Sequence, residues 1–297
     1  MALASITYDD TTRREDLADI VTNVAPDATP LLSSWKSLTS TNTLHEYLQD
    51  TLAAAATNAQ VEAVAFTAVD PVHPTRLNNI TQVFGDFVTV SRTQMAVDHA
   101  GMTDPMKYQV AKQLKEHAKD IEAALIAGSR ASGSSGVARQ MVGAINAIST
   151  NATARASGAS LGESDFNDVF QMIYTQTDDV ASEVYVGATL KRDISGFTAN
   201  STKYVDAKDQ MLVRPVHFYD TDFGPTRIYL HRNVSNAANA KALVALRPDT
   251  HAVAWLRRTK AERLTPDGDR ERTQIITELT SEHRGEKAEA YVSGYTS

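Results

Sequence analysis

Cysteine is absent from all 297 residues of this chain, and that absence excludes several kinds of chemistry. Without thiols there is no disulfide, no cysteine-based metal site and no thiol catalysis. Long apolar runs are missing too, so no segment approaches the roughly 20 residues that a membrane-spanning helix needs. The N-terminal stretch turns polar and acidic at Asp9 and Asp10, too early for a secretory signal. We therefore expect a protein made in the cytosol, with no membrane contact.

Clusters of basic residues are also missing. The formal net charge is −7 and the pI is near 5.6. Affinity for phosphate backbones comes from clustered Lys and Arg, so this balance disfavours a dedicated nucleic-acid binder. The 42% hydrophobic and 22% charged content is ordinary for a globular protein. A chain of this length can bury a real core in one large or two modest domains.

The familiar catalytic motifs are not present. The glycine-rich stretch 129–136 lacks the Gly-Lys-Ser/Thr ending of a phosphate-binding loop. His45 and Glu46 are followed by Gln49, where a zinc protease would place its second histidine. No G-x-S-x-G elbow marks an activated serine. We therefore predict no catalytic, cofactor-binding or metal-binding residue.

A few polar residues have both a functional and a structural interpretation. Asp220 and Asp222 could hold a hard cation or serve acid–base chemistry, but turn formation explains the pair better. His117 lies near the apolar edge of a predicted helix, and we expect a packed or surface histidine rather than a ligand. A hydrolase whose triad is assembled from distant residues stays open as an alternative.

The most informative segment is a long two-stranded arm. A strand-like run at 43–48 leads through an Ala-rich polar excursion to a second run at 76–90. Both faces of the second run are partly apolar, with Phe84 on one and Phe87 on the other. A lone hairpin is marginally stable in water, so we expect this one to complete its burial against another molecule.

One long amphipathic helix follows, over about 105–127. Thr103 or Asp104 is predicted to cap it, Pro105 suits its first position, and Gly128 ends it. At 1.5 Å per residue it is roughly 35 Å long, a structural spine. One face is apolar and the other polar: Val110, Leu114, Ala118, Ile121 and Leu125 against Lys107, Lys112, Lys115, Lys119 and Glu122. A solvated face explains these lysines better than contact with nucleic acid or with a neighbour's carboxylates.

The remaining pattern mixes helices with antiparallel strands, which predicts an α+β fold. Helices are predicted at 15–24, at 189–197 and after a Ser164 cap, with Phe166, Val169, Phe170 and Ile173 on the buried face of the last. The segment 150–162 is predicted to be a loop. Predicted strands are 183–187, 211–213, 216–219, 227–230, 243–246, 253–257, 273–284 and 287–292.

The order of these parts resembles the major capsid proteins of tailed bacteriophages, which share the Hong Kong 97-type fold. Particular stretches resemble the branch that includes the capsid protein of phage SU-ten. The resemblance covers nearly the whole chain. The matching stretches are residues 19–30, 45–52, 78–83, 90–97, 120–125, 263–269, 277–279 and 286–288.

This resemblance implies a division of the chain. Residues 1–42 would be an N-terminal arm, and 43–96 an extended E-loop hairpin reaching over a neighbouring subunit. Residues 97–185 would form the P-domain with its spine helix at 104–128. An A-domain would occupy about 186–250, and strands in 251–297 would close the P-domain and A-domain.

The resemblance also implies a function. The chain would self-assemble into hexamers and pentamers of an icosahedral shell enclosing phage double-stranded DNA, held non-specifically. Expected partners are a portal and a separate scaffold, with a cement or decoration protein left open, and assembly is expected in the host cytoplasm. No cofactor is implied. An encapsulin-like nanocompartment shell is the alternative within the same fold, and the hydrolase is the alternative outside it.

Two departures from relatives sharpen these expectations. Residues 46–96 contain no lysine, so an isopeptide cross-link from this arm would have no nucleophile. The sequence passes almost directly from Met1 into the arm, which favours a separate scaffold protein or none. The residues expected to contact other subunits are Tyr47, Leu48, Leu52, Val61, Phe66, Arg76, Phe84, Phe87 and Arg92.

Overall fold

A computed structural model describes residues 29–295, apart from 51, 53–54, 56, 64–70, 72, 99–103, 178, 198–217, 236–240 and 267. The predicted helix at 15–24 and the predicted strand at 211–213 lie outside the described residues. The α-helices are α1 (Pro30–Ser34), α2 (Arg92–Ala96), α3 (Pro105–Ala127), α4 (Ala144–Ala147), α5 (Glu163–Thr177) and α6 (Ala188–Ser195).

The strands follow the order of the chain through both halves of the molecule. They are β1 (Lys36–Thr39), β2 (Leu44–Gln49), β3 (Thr75–Ile80), β4 (Gln82–Ser91), β5 (Ala152–Ala159), β6 (Glu183–Val186), β7 (Phe218–Thr221), β8 (Gly224–Leu230), β9 (Leu243–Leu246), β10 (His251–Arg263), β11 (Arg270–His283) and β12 (Ala290–Tyr295). The predicted α+β class is confirmed, with helices and sheets along the whole described chain.

The strands form three sheets. A six-stranded sheet has the order β5-β12-β9-β6-β8-β7, and a four-stranded sheet has the order β1-β10-β11-β4. The third is a two-stranded ribbon of β2 and β3, paired antiparallel from Leu44 opposite Ile80 to Gln49 opposite Thr75. The ribbon is therefore a sheet of its own, which is not continuous with the other two.

Both faces of the six-stranded sheet are covered. Alternate residues of β6 point to opposite sides: Val184 joins the core under α5 and α6, and Tyr185 joins a second core that includes α3 and α4. Phe166 and Phe170 of α5 fill the first core, with ring centroids 5.2 Å apart. This sheet buries most of its apolar side chains within its own chain, although Phe218 of β7 and Leu230 of β8 remain exposed.

The four-stranded sheet is covered by α3 on one face, whereas the other face is covered only where Glu278, Thr280 and Glu282 of β11 are buried. Phe84 of β4 packs against His117 of α3, and Thr277 of β11 hydrogen-bonds the same histidine. The alternate positions, Val83, Gly85 and Phe87 of β4 with Gln274 and Ile276 of β11, share the other side, which we call the open face. No described helix or strand is packed over it.

The spine helix α3 is confirmed with its predicted limits. The Asp104 carboxylate caps it by accepting from the Met106 and Lys107 amides, and Gly128 lies at its C-terminal end. His117 is buried, as a packed histidine, with Nδ1 2.5 Å from an Asp86 carboxylate oxygen. The placement of Glu122 on the polar face is wrong, because its carboxylate is buried and accepts hydrogen bonds from two distant segments.

The predicted return strand 76–90 is corrected to two strands, β3 and β4. They part at Thr81, whose amide donates to the Thr43 carbonyl and whose hydroxyl donates to Glu278. Because the backbone turns there to meet these partners, only β3 continues the ribbon, while β4 pairs with β11. The part of the predicted arm that forms β4 thus belongs to the four-stranded sheet.

Two smaller predictions also change. Ser164 lies inside α5, which begins at Glu163, so it is not the cap. The segment 150–162, predicted as a loop, contains β5, which pairs in parallel with β12. Its composition of Ala, Thr, Ser and Gly lacks the β-branched and aromatic alternation that marks a strand in sequence.

Candidate assembly interface

The ribbon carries exposed apolar side chains towards its far end. Leu48 is 61% exposed, Val61 is 75% exposed and Leu52 is fully exposed. Arg76 lies opposite Leu48 in the register, and its guanidinium is 3.5 Å from the Glu46 carboxylate. A protruding two-stranded ribbon with bare leucines is typical of a segment that is buried by a partner.

Polar contacts attach the base of the ribbon to β11. His45 of β2 places Nε2 2.5 Å from Oε1 of Glu282, which is buried. The Tyr47 hydroxyl accepts a hydrogen bond from the His283 amide at 3.2 Å. Asn79 of β3 is fully buried and donates from Nδ2 to the Ser281 carbonyl at 2.8 Å. The ribbon's direction is therefore fixed by directional hydrogen bonds.

Burial sets the protonation of this region. Burial, and after it the neighbouring His251, together lower the pKa of His283 to about 3. His283 is therefore a neutral imidazole, with Nδ1 3.0 Å from Nδ1 of His251. Burial also raises the pKa of the Tyr47 phenol. Both groups remain uncharged at neutral pH, as their apolar surroundings require.

The root of the N-terminal segment is held by a buried carboxylate. Glu122 of α3 accepts from the amides of Leu31 and Leu32, in the first turn of α1, at 2.8 and 3.0 Å. The same carboxylate lies 2.9 Å from Nε2 of His231, on the segment that follows β8. One side chain thus joins three segments far apart in sequence, and the buried charge has the partners that it needs.

Immediately after α1, Trp35 stacks on His251 with centroids 4.5 Å apart and an interplanar angle of 9°. β1 then pairs in parallel with β10, from Lys36 opposite Ala252 to Thr39 opposite Trp255. The point where the N-terminal segment enters the described chain is therefore firmly seated, on the side of the four-stranded sheet that α3 covers.

The open face combines apolar and cationic groups. Phe87 is 57% exposed, and the Arg272 guanidinium carbon lies 5.4 Å from its ring centroid. Glu278, opposite Val83, is buried between two cations, with Arg139 and Arg257 each 2.9 Å from one carboxylate oxygen. The charge of Glu278 is thereby neutralised by its two arginines.

The residues predicted to contact other subunits lie in different surroundings. Leu48, Leu52, Val61 and Arg76 lie on the ribbon or the excursion at its end, and Phe87 lies on the open face. Tyr47 and Phe84 are packed inside the chain, so little of their surface is left for a neighbour. Phe66 lies outside the described residues. Arg92 is exposed at the start of α2, where its amide donates to the Asp269 carbonyl.

The described part of the chain offers little support for a catalytic or metal site. Asp220 lies in β7, opposite Pro225, and Asp222 lies in the turn to β8, where it accepts a hydrogen bond from Asn167. Among the residues described, no cluster of three or more His, Asp and Glu is placed to hold a metal ion. No helix within the described ranges is long and apolar enough to cross a bilayer.

Solved structures share this arrangement of sheets around one long helix. The capsid of a native GTA particle matches with a TM-score of 0.70 and 11% identity, covering 99% of this chain and 100% of that one. A chain of Mycobacterium phage Che8 matches at 0.61 with 13% identity, covering 95% and 97%. The holo-SrpI encapsulin of Synechococcus elongatus matches at 0.62 with 9% identity, covering 99% and 96%. The fold is the Hong Kong 97-type capsid fold.

The comparison with curated protein sequences returned no match. The family comparison is specific: residues 4–296 match the model of the SU10 major capsid protein family. The chain belongs to that family, and the predicted resemblance is confirmed. It is a phage major capsid protein.

Proposed function

We propose that this chain forms hexamers and pentamers that build an icosahedral shell around phage double-stranded DNA. The match to the capsid family over 4–296 carries this proposal. The exposed side chains of Leu48 and Leu52 support it, because exposed apolar surface of this kind marks a site that a partner buries. The role is structural, with no catalytic step.

In the assembled shell the ribbon is the E-loop that lies over a neighbouring subunit. The polar contacts of His45, Tyr47 and Asn79 hold its base, so its apolar end is presented in one direction. Within its own chain the base of the ribbon is held by hydrogen bonds to β11. Contact with a neighbouring subunit would add the burial of the apolar side chains at its other end. The N-arm, spine helix and A-domain follow the ranges predicted above.

The shell is held without covalent links between subunits. Residues 46–96 contain no lysine, so the E-loop cannot donate an amine to an isopeptide bond. Denaturing electrophoresis of assembled particles is expected to give a single band at 32.3 kDa. A ladder of linked subunits would contradict this proposal.

The remaining partners follow from the same role. A portal, a separate scaffold and a cement or decoration protein would act at different stages, with assembly in the host cytoplasm. DNA contact would be non-specific, in keeping with a net charge of −7. A wall of low affinity for phosphate suits a genome that must be packaged and later ejected.

Electron microscopy of the purified protein tests the assembly directly. Large closed particles with six-fold and five-fold clusters are expected. A monomer at every concentration and salt condition would contradict the proposal. The encapsulin likeness gives a second candidate, a shell loaded with protein, and isolation of particles from infected cells with DNA or with a protein cargo inside separates the two.

A further inference from the structure

Two buried histidines meet at one end of the β10–β11 strand pair. His251, the first residue of β10, lies opposite His283, the last residue of β11, and their Nδ1 atoms are 3.0 Å apart. Both side chains are buried, and we call these two residues the histidine pair. Because a hydrogen bond between two ring nitrogens uses one hydrogen, one ring must donate and the other must accept.

The surroundings of His283 determine which ring donates. The Ser281 hydroxyl donates to the Val142 carbonyl at 2.7 Å, so it offers only lone pairs to Nε2 of His283, 3.0 Å away. Nε2 of His283 therefore carries a hydrogen. Because His283 is neutral, its Nδ1 is bare, and the hydrogen between the two rings belongs to His251. On the far side of His251, Nε2 lies 2.6 Å from the Glu289 carboxylate.

This arrangement leaves His283 no place for a second proton. Nδ1 is the one ring nitrogen of His283 without a hydrogen, and it already accepts from His251. A proton there would set two N–H groups against each other at 3.0 Å, so protonation requires the two rings to separate. The pKa of His283, which burial and then His251 lower to about 3, agrees with this geometry.

Each ring of the histidine pair holds a different segment of the chain. His251 stacks on Trp35, which directly precedes β1, with ring centroids 4.5 Å apart. His283 donates from its amide to the Tyr47 hydroxyl of the ribbon, and its ring shares the Ser281 hydroxyl with Nδ2 of Asn79. Separation of the two rings would therefore disturb the root of the N-terminal segment and the base of the ribbon together.

Other charged groups surround the histidine pair. They are Glu289 before β12, Glu282 and Arg284 of β11, His45 and Tyr47 of β2, and Arg130 near Tyr47. A proton on His45 would strengthen its contact with Glu282, so His45 does not explain loosening in acid. A proton on Glu289 would weaken its contact with His251, so this carboxylate is the alternative source of an acid response.

We propose that protonation of His283 opens the root of the N-terminal segment and the base of the ribbon together, as an acid-sensitive switch, while the six-stranded sheet stays folded. The switch consists of contacts inside one chain, so it does not depend on the proposed assembly into a shell. Mild acid would then loosen both attachments without unfolding the subunit.

Amide hydrogen exchange followed by mass spectrometry measures such local opening in the full-length protein. The reporters are the amides of β1, which pairs with β10, the His283 amide, which donates to Tyr47, and the Val142 amide, which donates to Asn79. After correction for the intrinsic exchange rate, these amides are expected to exchange about 25-fold faster at pH 5 than at pH 7. The reason is that the open state binds a proton at the ordinary histidine pKa of 6.5, whereas the closed state binds it only near pH 3.

His283→Gln is the matched variant, because its amide can accept from His251 and donate to Ser281 but takes up no proton in this range. Its corrected exchange is expected to be the same at pH 7 and pH 5. His283→Asn serves the same purpose if the glutamine variant does not fold. Glu289→Gln is expected to keep the acid response of the wild type, because His283 is still present. Strand β6, in the centre of the six-stranded sheet, is the internal control and is expected to stay protected at both pH values.

Several results would overturn the inference. An unchanged acid response in His283→Gln would assign that response to another group, and its loss in Glu289→Gln alone would identify the carboxylate. Faster exchange in β1 without faster exchange at Val142 and His283, or the reverse, would show that the two attachments open separately. Equal acceleration in β6 would show that acid unfolds the whole subunit. A wild type without any acceleration would show that the histidine pair does not respond to acid.

Discussion

The six-stranded and four-stranded sheets of this protein solve the same physical problem in different ways. The first places α5 and α6 on one face and α3 with α4 on the other, so its central strands β6 and β9 are buried before any assembly. The second has α3 on one face, while Phe87 and Val83 on the other meet solvent in the isolated chain. The comparison teaches that burial completed within the chain and burial completed by neighbours can be separated by mutation.

The largest expected effect separates the two sheets by their phenylalanines. Phe170→Ala removes a fully buried ring from the first core and is expected to lower the free energy of unfolding by about 3–5 kcal/mol. Phe87→Ala removes a ring that is mostly exposed, so the isolated subunit should lose well under about 1 kcal/mol while shell formation weakens. Urea denaturation and particle yield measure the two effects. Equal losses of stability would break the comparison.

The next effect concerns the Glu122 carboxylate of α3, which binds both α1 and His231. Glu122→Gln replaces an acceptor for three groups by an amide that must turn a donor toward one of them. The expected cost is about 1–3 kcal/mol, measured by urea denaturation. Glu116→Gln on the same helix is the control: its pairing with Lys112 at 3.7 Å is exposed, so about 0.5 kcal/mol or less is expected. A Glu122 variant as stable as the control would contradict this account.

A pH experiment sharpens the role of the ribbon base. The folded-state pKa of His283 is lowered from 6.5 to about 3, so the unfolded chain takes up the proton first as the pH falls. The stability from this neutral histidine is complete above pH 6.5 and is lost progressively between pH 6.5 and 3. In that window the wild type should lose up to about 1.4 kcal/mol per pH unit more than His283→Gln. Both proteins have the same carboxylates, so the titration of those groups cancels in this difference.

The exposed His73→Gln serves as the control for that experiment. Its denaturation midpoints should follow the wild type at every pH. If the His283 variant shows the same slope as the wild type, the neutral buried imidazole is not what destabilises the fold in acid.

The smallest effect on the isolated chain is expected at Gly85, on the open face. Its backbone is extended and a side chain there meets open space, so Gly85→Gln should change the unfolding free energy by about 0.5 kcal/mol or less. Shell formation should nevertheless fall, because the new side chain would stand on the open face and keep a neighbouring subunit away from it. Gly143→Ala is the contrast, since its Cβ would lie 2.5 Å from the Gly128 amide nitrogen. Normal assembly of the Gly85 variant would show that nothing covers this face.

The parts of the fold that the sequence predicted well carry their signal locally. The spine helix is predicted by Asp104 and Pro105 at its start, by Gly128 at its end and by the regular spacing of apolar residues between them, all within 25 residues. The buried helix face with Phe166 and Phe170 is confirmed for the same reason. Such features need no knowledge of distant partners.

The missed features depend on contacts between residues far apart in the chain. Glu122 reads as one more charged residue on a polar face until α1 and His231 are brought to it. The break at Thr81 is decided by Thr43 and Glu278, and the ribbon base by pairs such as His45 with Glu282. Interface residues are harder again, because their partners belong to other subunits, and those predictions remain predictions.

The parallel pairing of β1 with β10 has a mechanical consequence. A pull on the N-terminal segment would load the hydrogen bonds of Lys36–Thr39 together, along the strand axis, instead of opening them one after another. Tension on that end would then pass into β10, and through it into the strand pair that carries the open face. Force applied to the N-terminal segment of one subunit would thus be transmitted to its open face. Single-molecule pulling from the N-terminus should show one high rupture force rather than the gradual separation of the two strands.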